Sequence, residues 1–333
     1  MVHIYQGENT GNVSFFKFNN YFINKISSFG QARLVVWWLT TKNAPKWAKI
    51  LREGGNAVNV AVGVSFCMGV VHPHLTGIGG NGLVLIYDHK LGKLRDCINF
   101  NRKGSTSSET VGIPGFINGL SFAHSKFGRL PWKKILSYSI ELARTGFIVT
   151  ESLKSSVQHL KTENIKTKLG LWLNSLKVGK VTTSKPLAET LELLAEQGGN
   201  VFYSGAFTKN LAHVLSEDDM KNYKVLNNVC AMEEWNKFKL FTTGQVTGGP
   251  LLLKALKNMN NASNPYASIK AINEALTTAE NYTHGVVVTS VDKDDNYVCG
   301  KQIRISFGLA NINTRRVRSQ RCCQIRNGEN VYE

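Results

Sequence analysis

Residues 50–88 read ILREGGNAVNVAVGVSFCMGVVHPHLTGIGGNGLVLIYD, and their pattern predicts three consecutive elements of the fold. Residues 57–71 are apolar nearly all round, which is typical of a helix buried within a core. The run is shorter than the roughly 20 residues that a membrane-spanning helix needs, and Asn59 interrupts it. The glycine-rich residues 76–82 predict a turn, and LVLIYD at residues 83–88 predicts a strand. The order is therefore core helix, turn, strand.

The segments on either side extend this unit in both directions. PKWAKILREGG, residues 45–55, has apolar residues at helical spacing and ends in two glycines, which predicts a helix with a glycine C-cap. On the other side, a turn at residues 89–93 leads into a second strand at 94–100, which predicts a hairpin. Residues 32–39 are a β-like apolar run.

The rest of the chain alternates between predicted helices and strands without an internal repeat. Helical patterns cover residues 111–127, 128–146, 154–176, 186–197, 210–215 with 218–223, and 250–259, and strand patterns cover residues 238–243, 286–291 and 297–299. Residues 1–31 show no period and are predicted to form a loose N-terminal extension. Residues 308–333 lie in a basic stretch without hydrophobic period and are predicted to be a disordered tail or interaction arm.

Composition and charge narrow the class of protein. The chain has 333 residues, 42% of them hydrophobic, with 30 glycines and 7 prolines, which excludes collagen-like and low-complexity character. The net charge of +17 suits a nucleic-acid or membrane-surface binder, but net charge bears on partners and solubility rather than on fold. The first thirty residues lack the basic start, apolar stretch and cleavage site of a signal peptide, so none is predicted.

The six cysteines carry little signal. They stand at positions 67, 97, 230, 299, 322 and 323, and no two form a CxxC pair, so a structural zinc site is not predicted. Six cysteines in 333 residues are too sparse for a disulfide scaffold. We therefore predict reduced or mixed thiols.

Three short motifs resemble ligand-binding sites, but each is better explained as ordinary structure. Gly77, Gly79 and Gly82 spell the dinucleotide fingerprint, but that fingerprint needs a strand before it and a helix after it, and here the order is reversed. His72 and His74 have no carboxylate or cysteine cluster at ligand spacing and are predicted to be core or turn histidines. The DKDDN run at 292–296 lacks the glycine and glutamate of a calcium loop, so a hairpin turn is predicted.

The basic tail is the one feature that favours nucleic acid. Seven basic residues and no acid lie between residues 301 and 326, and such a stretch is able to hold phosphates. It lacks the aromatic residues that stack on bases, so a solvated arm is the preferred interpretation and no nucleic-acid partner is expected.

An ordered set of segments resembles the γ-glutamyltranspeptidase (glutathione hydrolase) family. Residues 50–88 resemble its N-terminal signature of a GG-x-A-V-D-A-A helix, an N-P-H turn, GIGGGG and a strand. The further matching segments are VGIPGFINGL at 111–120, GRLPWKKILSYSIELARTGF at 128–147, VFYSGAFTKNLAHVL at 201–215, DDMKNYKV at 218–225 and VDKDDNYV at 291–298. The likeness covers about residues 32–307, which are predicted to form one shortened family domain.

The resemblance implies an α+β fold of the N-terminal-nucleophile hydrolase class, an αββα sandwich that we expect to be incomplete. It also implies a precursor that cleaves itself before a threonine, whose new α-amino group then activates its own hydroxyl. The implied activity is cleavage of the γ-glutamyl amide of glutathione, with water or an amine as acceptor. Glutathione or another γ-glutamyl compound is therefore the expected partner, and neither metal nor other cofactor is implied.

The candidate site residues follow from the family motifs. Aligning His284 with the histidine of G-T-x-H puts Tyr282 at the nucleophile position, and Thr283 is the adjacent threonine, so Thr283 is the predicted nucleophile. Arg102 in NFNR stands one place from the arginine of F-R-E and is the predicted clamp for the substrate carboxylate. Gly248 and Gly249 remain from the P-P-x-S-S-G loop and are predicted to bind substrate.

Two functions remain open at this point. The first is a self-processing glutathione hydrolase or γ-glutamyltransferase. The second is a catalytically inactive relative, a pseudoenzyme that acts as a binding or interaction module, because the nucleophile and arginine motifs are each displaced by one residue and the family aspartate of GG-x-A-V-D is Asn59 here. Family members sit at the plasma membrane facing outward, but this sequence shows neither a signal nor an anchor, so localisation is left open.

Overall fold

The computed structural model describes residues 3–6, 49–74, 76–101, 104–105, 108–158, 168–212, 215–235, 238–244, 249–260, 270, 285–291 and 297–303. The helices are α1 Ala57–Val71, α2 Phe116–Phe127, α3 Trp132–Thr145, α4 Glu151–Gln158, α5 Lys168–Ser175, α6 Lys185–Gln197, α7 Ala206–Leu211, α8 Glu217–Lys221 and α9 Gly249–Asn260. The strands are β1 His3–Gln6, β2 Asn81–Asp88, β3 Lys93–Phe100, β4 Gly104–Ser105, β5 Ser108–Gly112, β6 Phe147–Ile148, β7 Val181–Thr182, β8 Cys230–Trp235, β9 Phe238–Thr243, β10 Gly285–Val291 and β11 Tyr297–Ile303.

The predicted core helix is confirmed as α1. Fourteen of its residues, Ala57 through Val70, are buried, which explains why the run is apolar all round. Asn56 caps the helix: its side chain accepts from the amide of Asn59, whose side chain accepts in turn from the amide of Asn56. The glycine turn and β2 follow, so the order helix, turn, strand is confirmed. The strand begins at Asn81, so Gly82 belongs to it and not to the turn.

Two antiparallel sheets form the centre of the molecule. The first has the strand order β10-β11-β2-β3, and the second has the order β1-β9-β8. The β2–β3 and β10–β11 hairpins join at the pairing of β11 with β2, whose register sets Cys299 opposite Leu85. Strand β1, in a segment where the sequence predicts no regular structure, pairs with β9.

The side chains of β2 alternate between two cores, as the period of a strand requires. Val84 and Ile86 join the large core that α1 and α2 share, whereas Leu85 and Tyr87 join a smaller cluster with Phe241 of the second sheet. Helices α1 and α2 thus cover one face of the first sheet, and β9 covers the other. Helix α9 packs on β8 and β9 from outside. The layers are α, β, β, α, which confirms the predicted sandwich.

A helical group completes the large core on the side of α1. Helices α3 and α6 pack on each other, and α3 also packs on α1. The Trp132 ring stands edge-on to Phe66 of α1, and its Nε1 donates to the carbonyl of Leu194 at 2.9 Å. Gly146 ends α3 with φ of +108°, a conformation that favours glycine, as the sequence predicts.

One predicted helix differs from the structure, and another is described only in part. The helix predicted over 111–127 begins only at Phe116, because β5 runs to Gly112 and Pro114 disfavours helical geometry in the residue before it. The helix predicted over 154–176 overlaps two described helices, Glu151–Gln158 and Lys168–Ser175, and its middle part, residues 159–167, lies outside the described residues. Within the described ranges, no helix is both long and apolar enough to cross a membrane.

The prediction of reduced or mixed thiols is wrong for one pair of cysteines. Cys97 of β3 and Cys230 of β8 form a disulfide across a sequence separation of 133 residues. The bond joins the two central sheets, because β3 belongs to the first and β8 to the second. The sequence contains no CxxC or short spacing that marks this pair, since only the stacking of the sheets brings the two strands together.

Asn59 is a structural polar group inside the core, and its replacement tests this role. Its side chain is fully buried, and Oδ1 accepts from the amides of Asn56, Arg129 and Leu130 at 3.0–3.3 Å. We expect Asn59→Leu to lower the free energy of unfolding by about 3–5 kcal/mol, because one buried and two partly buried N–H groups lose their acceptor. Chemical denaturation monitored by circular dichroism measures this change.

The matched control is Asn59→Asp, the residue that the family resemblance places here. Its carboxylate retains an acceptor for the same three amides, and it lies in the first turn of α1, where the helix dipole favours negative charge. We expect it to stay within about 1 kcal/mol of the wild-type stability. Equal losses for both variants would contradict the role assigned to the acceptor oxygen.

Candidate functional site

The described residues reach the edge of the predicted site but contain only part of it. Thr283, Arg102 and Gly248 lie outside the described residues, as do Tyr282, His284 and the basic tail. Gly249 is described and is the first residue of α9. Asn101, next to Arg102, and Gly285, two residues after Thr283, are also described. The structure therefore shows the chain on one side of each of these two predicted residues.

One end of the first sheet gathers these neighbours. Gly285 at the start of β10 is opposite Ile303 at the end of β11, and Ile303 is opposite Asn81 at the start of β2. Gly82 is opposite Phe100, the last residue of β3. The chain therefore enters β10 and leaves β3 at the same end of the sheet. Three strand spacings of about 4.8 Å separate β10 from β3, a distance of about 14 Å.

The segment that leaves β3 is held by backbone and side-chain hydrogen bonds. Asn99 pairs with Leu226: the amide of Asn99 donates to the Leu226 carbonyl at 2.6 Å, and the amide of Leu226 donates back at 2.9 Å. The amide of Asn101 donates to Oδ1 of Asn99 at 2.8 Å, which is an Asx-turn. The chain up to Asn101 thus has a defined course.

The N-terminus of α2 closes on the glycine turn at the same end of the sheet. The amides of Gly115 and Phe116 donate to the carbonyl of Gly80 at 3.0 and 2.9 Å. A Cβ at Gly115 would clash with the carbonyl oxygen of Phe100 and the hydroxyl of Tyr223, so only glycine allows this approach. The VGIPG segment is therefore a packing element of this end.

Two tyrosines from separate family-like segments stack beside α2. The rings of Tyr203 and Tyr223 lie 5.8 Å apart and nearly parallel, at 10°. The Tyr203 hydroxyl donates to the carbonyl of Pro114 at 2.6 Å and accepts from the amide of Asn118 at 3.1 Å. The Tyr223 hydroxyl donates to the carbonyl of Asn101 at 3.5 Å. Burial raises the pKa of both phenols well above the usual range, so both remain protonated donors.

Gly249 lies where β9 ends and α9 begins. It is buried, and a Cβ there would clash with the Thr242 hydroxyl and the Thr243 carbonyl. The adjoining end of β9 is tied to β3 through Val229, whose carbonyl accepts from Gly244 and whose amide donates to the Cys97 carbonyl. The close approach of Gly249 to Thr242 and Thr243 explains why a glycine stands here. The substrate-binding role of Gly249 stays a prediction.

The two histidines of the H-P-H turn are structural, as the sequence predicts. His72 is buried at the C-terminus of α1, and burial lowers the pKa of its imidazole. His74 contacts Ser152 of α4 through Nε2 at 3.2 Å, and the two imidazole rings lie 5.4 Å apart. Among the described residues, no group of three or more histidine, cysteine, aspartate or glutamate side chains has the arrangement of a metal site.

The sequence missed the roles of Asn99, Tyr203 and Tyr223. Each belongs to a quoted segment, NFNR, VFYSGAF or DDMKNYKV, but nothing in the spacing links Asn99 to the two tyrosines, which follow it by more than 100 positions. A local signal existed only for Tyr203, because a tyrosine among the apolar residues of VFYSGAF predicts a buried hydroxyl that needs a partner, whereas Tyr223 stands in the polar DDMKNYKV. This end of the sheet therefore combines a hydrogen-bonded backbone, two buried phenols and the strand ends next to the predicted nucleophile and arginine.

Comparison with known proteins agrees with this geometry. The sequence profile of the family described as Gamma-glutamyltranspeptidase matches residues 47–289. The chain is 32% identical to glutathione hydrolase 3 of Arabidopsis thaliana over 205 residues, which cover 54% of this chain and 32% of that protein. It is 29% identical to the glutathione hydrolase proenzyme of Bacillus subtilis strain 168 over 246 residues, which cover 63% of this chain and 41% of that one.

Solved structures show the same fold. The γ-glutamyltranspeptidase of Helicobacter pylori superposes with a TM-score of 0.67 at 20% identity, covering 78% of this chain and 86% of that one. The γ-glutamyltranspeptidase of Pseudomonas nitroreducens, complexed with L-DON, gives 0.64 at 24% identity, covering 75% and 86%. The chain spans about a third to two fifths of the length of the two hydrolases above. From its profile match, its ordered segments and its αββα fold, the chain belongs to the γ-glutamyltranspeptidase family.

Proposed function

We propose that the chain acts on glutathione or another γ-glutamyl compound, as a hydrolase or transferase with Thr283 as nucleophile. The observation that carries this proposal is the family match over residues 47–289 together with the αββα sandwich. Arg102 is the proposed partner of the substrate α-carboxylate, because a planar guanidinium binds a carboxylate through two parallel hydrogen bonds. Gly248 and Gly249 are the proposed backbone contacts to the substrate.

In the proposed reaction, Oγ of Thr283 first attacks the carbonyl carbon of Tyr282, which moves the acyl group from nitrogen to oxygen. Water then hydrolyses this ester, which releases the carboxylate of Tyr282 and the α-amino group of Thr283. The new α-amino group of Thr283 takes the proton of its hydroxyl, and Oγ attacks the γ-carbonyl carbon of the substrate. The C–N bond then breaks, the leaving amine takes up the proton, and an ester links the glutamyl group to Thr283. Water or an acceptor amine attacks the ester and releases glutamate or a new γ-glutamyl amide.

The described end of the sheet supports the pairing of these two residues. Thr283 comes two residues before β10, and Arg102 comes two residues after β3, at the end that Gly285 and Phe100 share. A backbone distance of about 14 Å between the two strands suits two side chains with one glutamyl group between them. The electrostatic partner of the carboxylate and the nucleophile would then stand on opposite sides of the ligand.

Self-cleavage is the first test. We expect the purified chain to separate into fragments 1–282 and 283–333 on a denaturing gel, with masses that locate the break before Thr283. Thr283→Ala removes the attacking hydroxyl, so we expect no cleavage and at least a 1,000-fold loss of γ-glutamyl hydrolysis. Thr289→Ala, in the middle of β10, is the control and should leave cleavage intact.

Self-cleavage and hydrolysis, measured together with glutathione binding, decide between the active enzyme and the inactive relative. Binding of glutathione by calorimetry without cleavage or hydrolysis would favour the inactive relative that acts as a binding module, for which Tyr282 at the aligned nucleophile position is the sequence argument. Full activity in Thr283→Ala would contradict the assigned nucleophile. Arg102→Ala should raise KM for glutathione and leave self-cleavage unchanged, because the arginine is assigned to the substrate only.

A further inference from the structure

We infer that the turn before β7, together with the β6–β7 strand pair, forms a binding surface for an anionic phospholipid bilayer. The surface consists of Ile148, Lys177, Val178, Lys180 and Val181, and we call it the lysine–valine tip. None of these residues belongs to the candidate site, so the inference is independent of the proposed function.

Exposed apolar side chains concentrate in this part of the chain. Eight large hydrophobic side chains are exposed among the described residues, and five of them lie within residues 148–181. These five are Ile148, Leu169, Leu171, Val178 and Val181. Single exposed hydrophobic residues are common on soluble proteins, whereas a concentration of them marks a binding surface.

The turn of the lysine–valine tip is a fixed piece of backbone. The amide of Lys180 donates to the carbonyl of Lys177 at 3.1 Å, which closes a turn with Val178 and Gly179 at its two central positions. Gly179 has a φ of +75°, a conformation that favours glycine. The amide of Gly179 donates to the carbonyl of Val149, and the amide of Val149 donates to the carbonyl of Lys180, each at 2.9 Å. The turn is therefore held in place by the neighbouring strand.

Ile148 and Val181 lie side by side on the strand pair. They are opposite each other in the antiparallel register of β6 and β7, and side chains at such positions share one face with Cβ atoms about 5 Å apart. The strand neighbours Phe147 and Val149 are buried in the large core. The core thus anchors the pair from behind, while Ile148 and Val181 remain 49% and 65% exposed.

The charge of this region is positive. Residues 147–185 contain seven lysines, two glutamates and no arginine or aspartate. Lys177 and Lys180 stand on either side of Val178 and are exposed, and within the described part of the chain neither forms an ion pair. The lysine–valine tip therefore offers two unpaired cations beside three apolar side chains.

An anionic bilayer matches this combination. Apolar side chains of a shallow surface enter the boundary between lipid headgroups and acyl chains, and lysine side chains reach the anionic headgroups through their long apolar stems. A protein partner fits less well, because a few side chains fall short of the roughly 800 Å² that each partner buries in a standard interface. A second copy would also oppose like charges. Nucleic acid fits less well, because aliphatic side chains do not stack on bases as aromatic ones do.

A second turn of the chain provides a matched comparison. Residues 90–93 read KLGK and residues 177–180 read KVGK, and in both turns the apolar residue is exposed and the glycine has a positive φ. At the first turn, however, the carboxylate of Asp88 accepts from the amide of Leu91 at 3.0 Å and pairs with Arg95. Leu91 is also the one exposed large hydrophobic residue within the described residues 76–101. Leu91 therefore controls for a lone apolar residue between two lysines.

The test is binding of the full-length chain to lipid vesicles, measured by co-sedimentation. Vesicles of phosphatidylcholine and phosphatidylserine at about three to one are the anionic probe, and vesicles of phosphatidylcholine alone are the neutral probe. We expect binding to the anionic vesicles and about tenfold weaker binding to the neutral ones. Raising the salt concentration to about 0.5 M should weaken the anionic binding at least fivefold, because salt screens the lysines.

Substitutions locate the surface, which matters because the whole chain has a net charge of +17. Val178→Asp should weaken anionic binding by about tenfold or more, whereas Val178→Leu keeps an apolar side chain and should bind at least as tightly as wild type. Lys177→Gln combined with Lys180→Gln should weaken it about 25-fold, since each lysine at an anionic surface contributes about fivefold. Leu91→Asp should stay within about threefold of wild type. All these positions are exposed, so the melting temperatures should stay within a few degrees of wild type.

Hydrogen exchange locates the contact without any substitution. With anionic vesicles, the amides of residues 177–182 should exchange more slowly than in the free chain, whereas those of residues 89–93 should be unchanged. Slower exchange at residues 89–93 alone would overturn the inference, because the contact would then lie at the other turn.

Three results of the binding experiments would also overturn it. Equal binding of wild type and Val178→Asp to anionic vesicles would assign the binding to other basic residues of the chain. Equal losses in Val178→Asp and Leu91→Asp would show that no single turn is the surface. Self-association that Val178→Asp abolishes, without vesicle binding, would assign the lysine–valine tip to a second copy. None of these results depends on self-cleavage or on glutathione, so the proposed function stands or fails separately.

Discussion

Replacing Val64 with aspartate is expected to leave the chain without a stable native fold. Val64 lies in the middle of α1 with 2% of its surface exposed, and α1 packs on β10, β11, α2 and α3. A carboxylate there would be buried without a partner, at a cost of several kcal/mol. Because single domains are stable by only about 5–15 kcal/mol, this single change removes a large share of the total.

Denaturation with urea and the yield of soluble protein measure this effect. Val64→Asn introduces a side chain of nearly the same shape as aspartate but without a charge, and we expect it to lose less stability. The difference between the two variants measures the effect of the charge apart from the effect of burying a polar group. Val178→Asp is the matched control, because Val178 is 40% exposed, and it should stay within about 0.5 kcal/mol of wild type. A Val64→Asp variant as stable as Val178→Asp would refute α1 as the central core helix.

Removing the disulfide between Cys97 and Cys230 is expected to have an effect of similar size. The bond closes a loop across 133 residues, and the chain-entropy relation assigns about 5 kcal/mol to a loop of this length. It also joins the two sheets at the small cluster of Leu85, Tyr87 and Phe241, so its loss loosens the only cluster that both sheets share within the described ranges. We expect the Cys97→Ala/Cys230→Ala double variant to melt at a markedly lower temperature.

Melting with and without a reducing agent provides the control for the disulfide. A reducing agent should lower the melting temperature of the wild-type chain and leave the double variant unchanged, whereas Cys67→Ala, in α1, should keep the response. Disulfides form and persist in oxidising compartments, so the bond is expected in protein made through a secretory route. Mass spectrometry of alkylated tryptic peptides should link the peptides of Cys97 and Cys230. A wild-type chain that melts identically with and without reductant would contradict this prediction.

Much of the fold could be predicted from the sequence because the relevant signals are local. The all-round apolar run of α1, the turn at residues 89–93 and the strand at 238–243 are set by neighbours within a few residues, and the structure confirms each of them. The reversed order around the G-x-G-x-x-G spacing excluded a dinucleotide site for the same reason. Where local signals compete, as at Pro114, the predicted boundary was wrong by several residues.

The candidate site could be predicted only as far as family motifs extend. Thr283, Arg102, Gly248 and Gly249 came from the resemblance and not from spacing or periodicity, and three of them lie outside the described residues. Asn99 and Tyr223 have no local signal for a shared role, because they are more than 100 residues apart. Their joint hold on Asn101 exists only once β3 and the segment after α8 lie side by side.

Hydrophobic periodicity and turn chemistry act over a few residues, so the core helix, the glycine turn and the hairpin could be predicted in that order from local patterns alone. The packing of the whole chain was needed to establish which strands share a sheet, that β1 pairs with β9, that Cys97 bonds to Cys230, and that Tyr203 stacks on Tyr223. The pairing of β1 with β9 and the disulfide join segments far apart in the chain, and even the two tyrosines come from separate segments. Their pairing depends on how buried faces fit together in three dimensions, which no local pattern specifies.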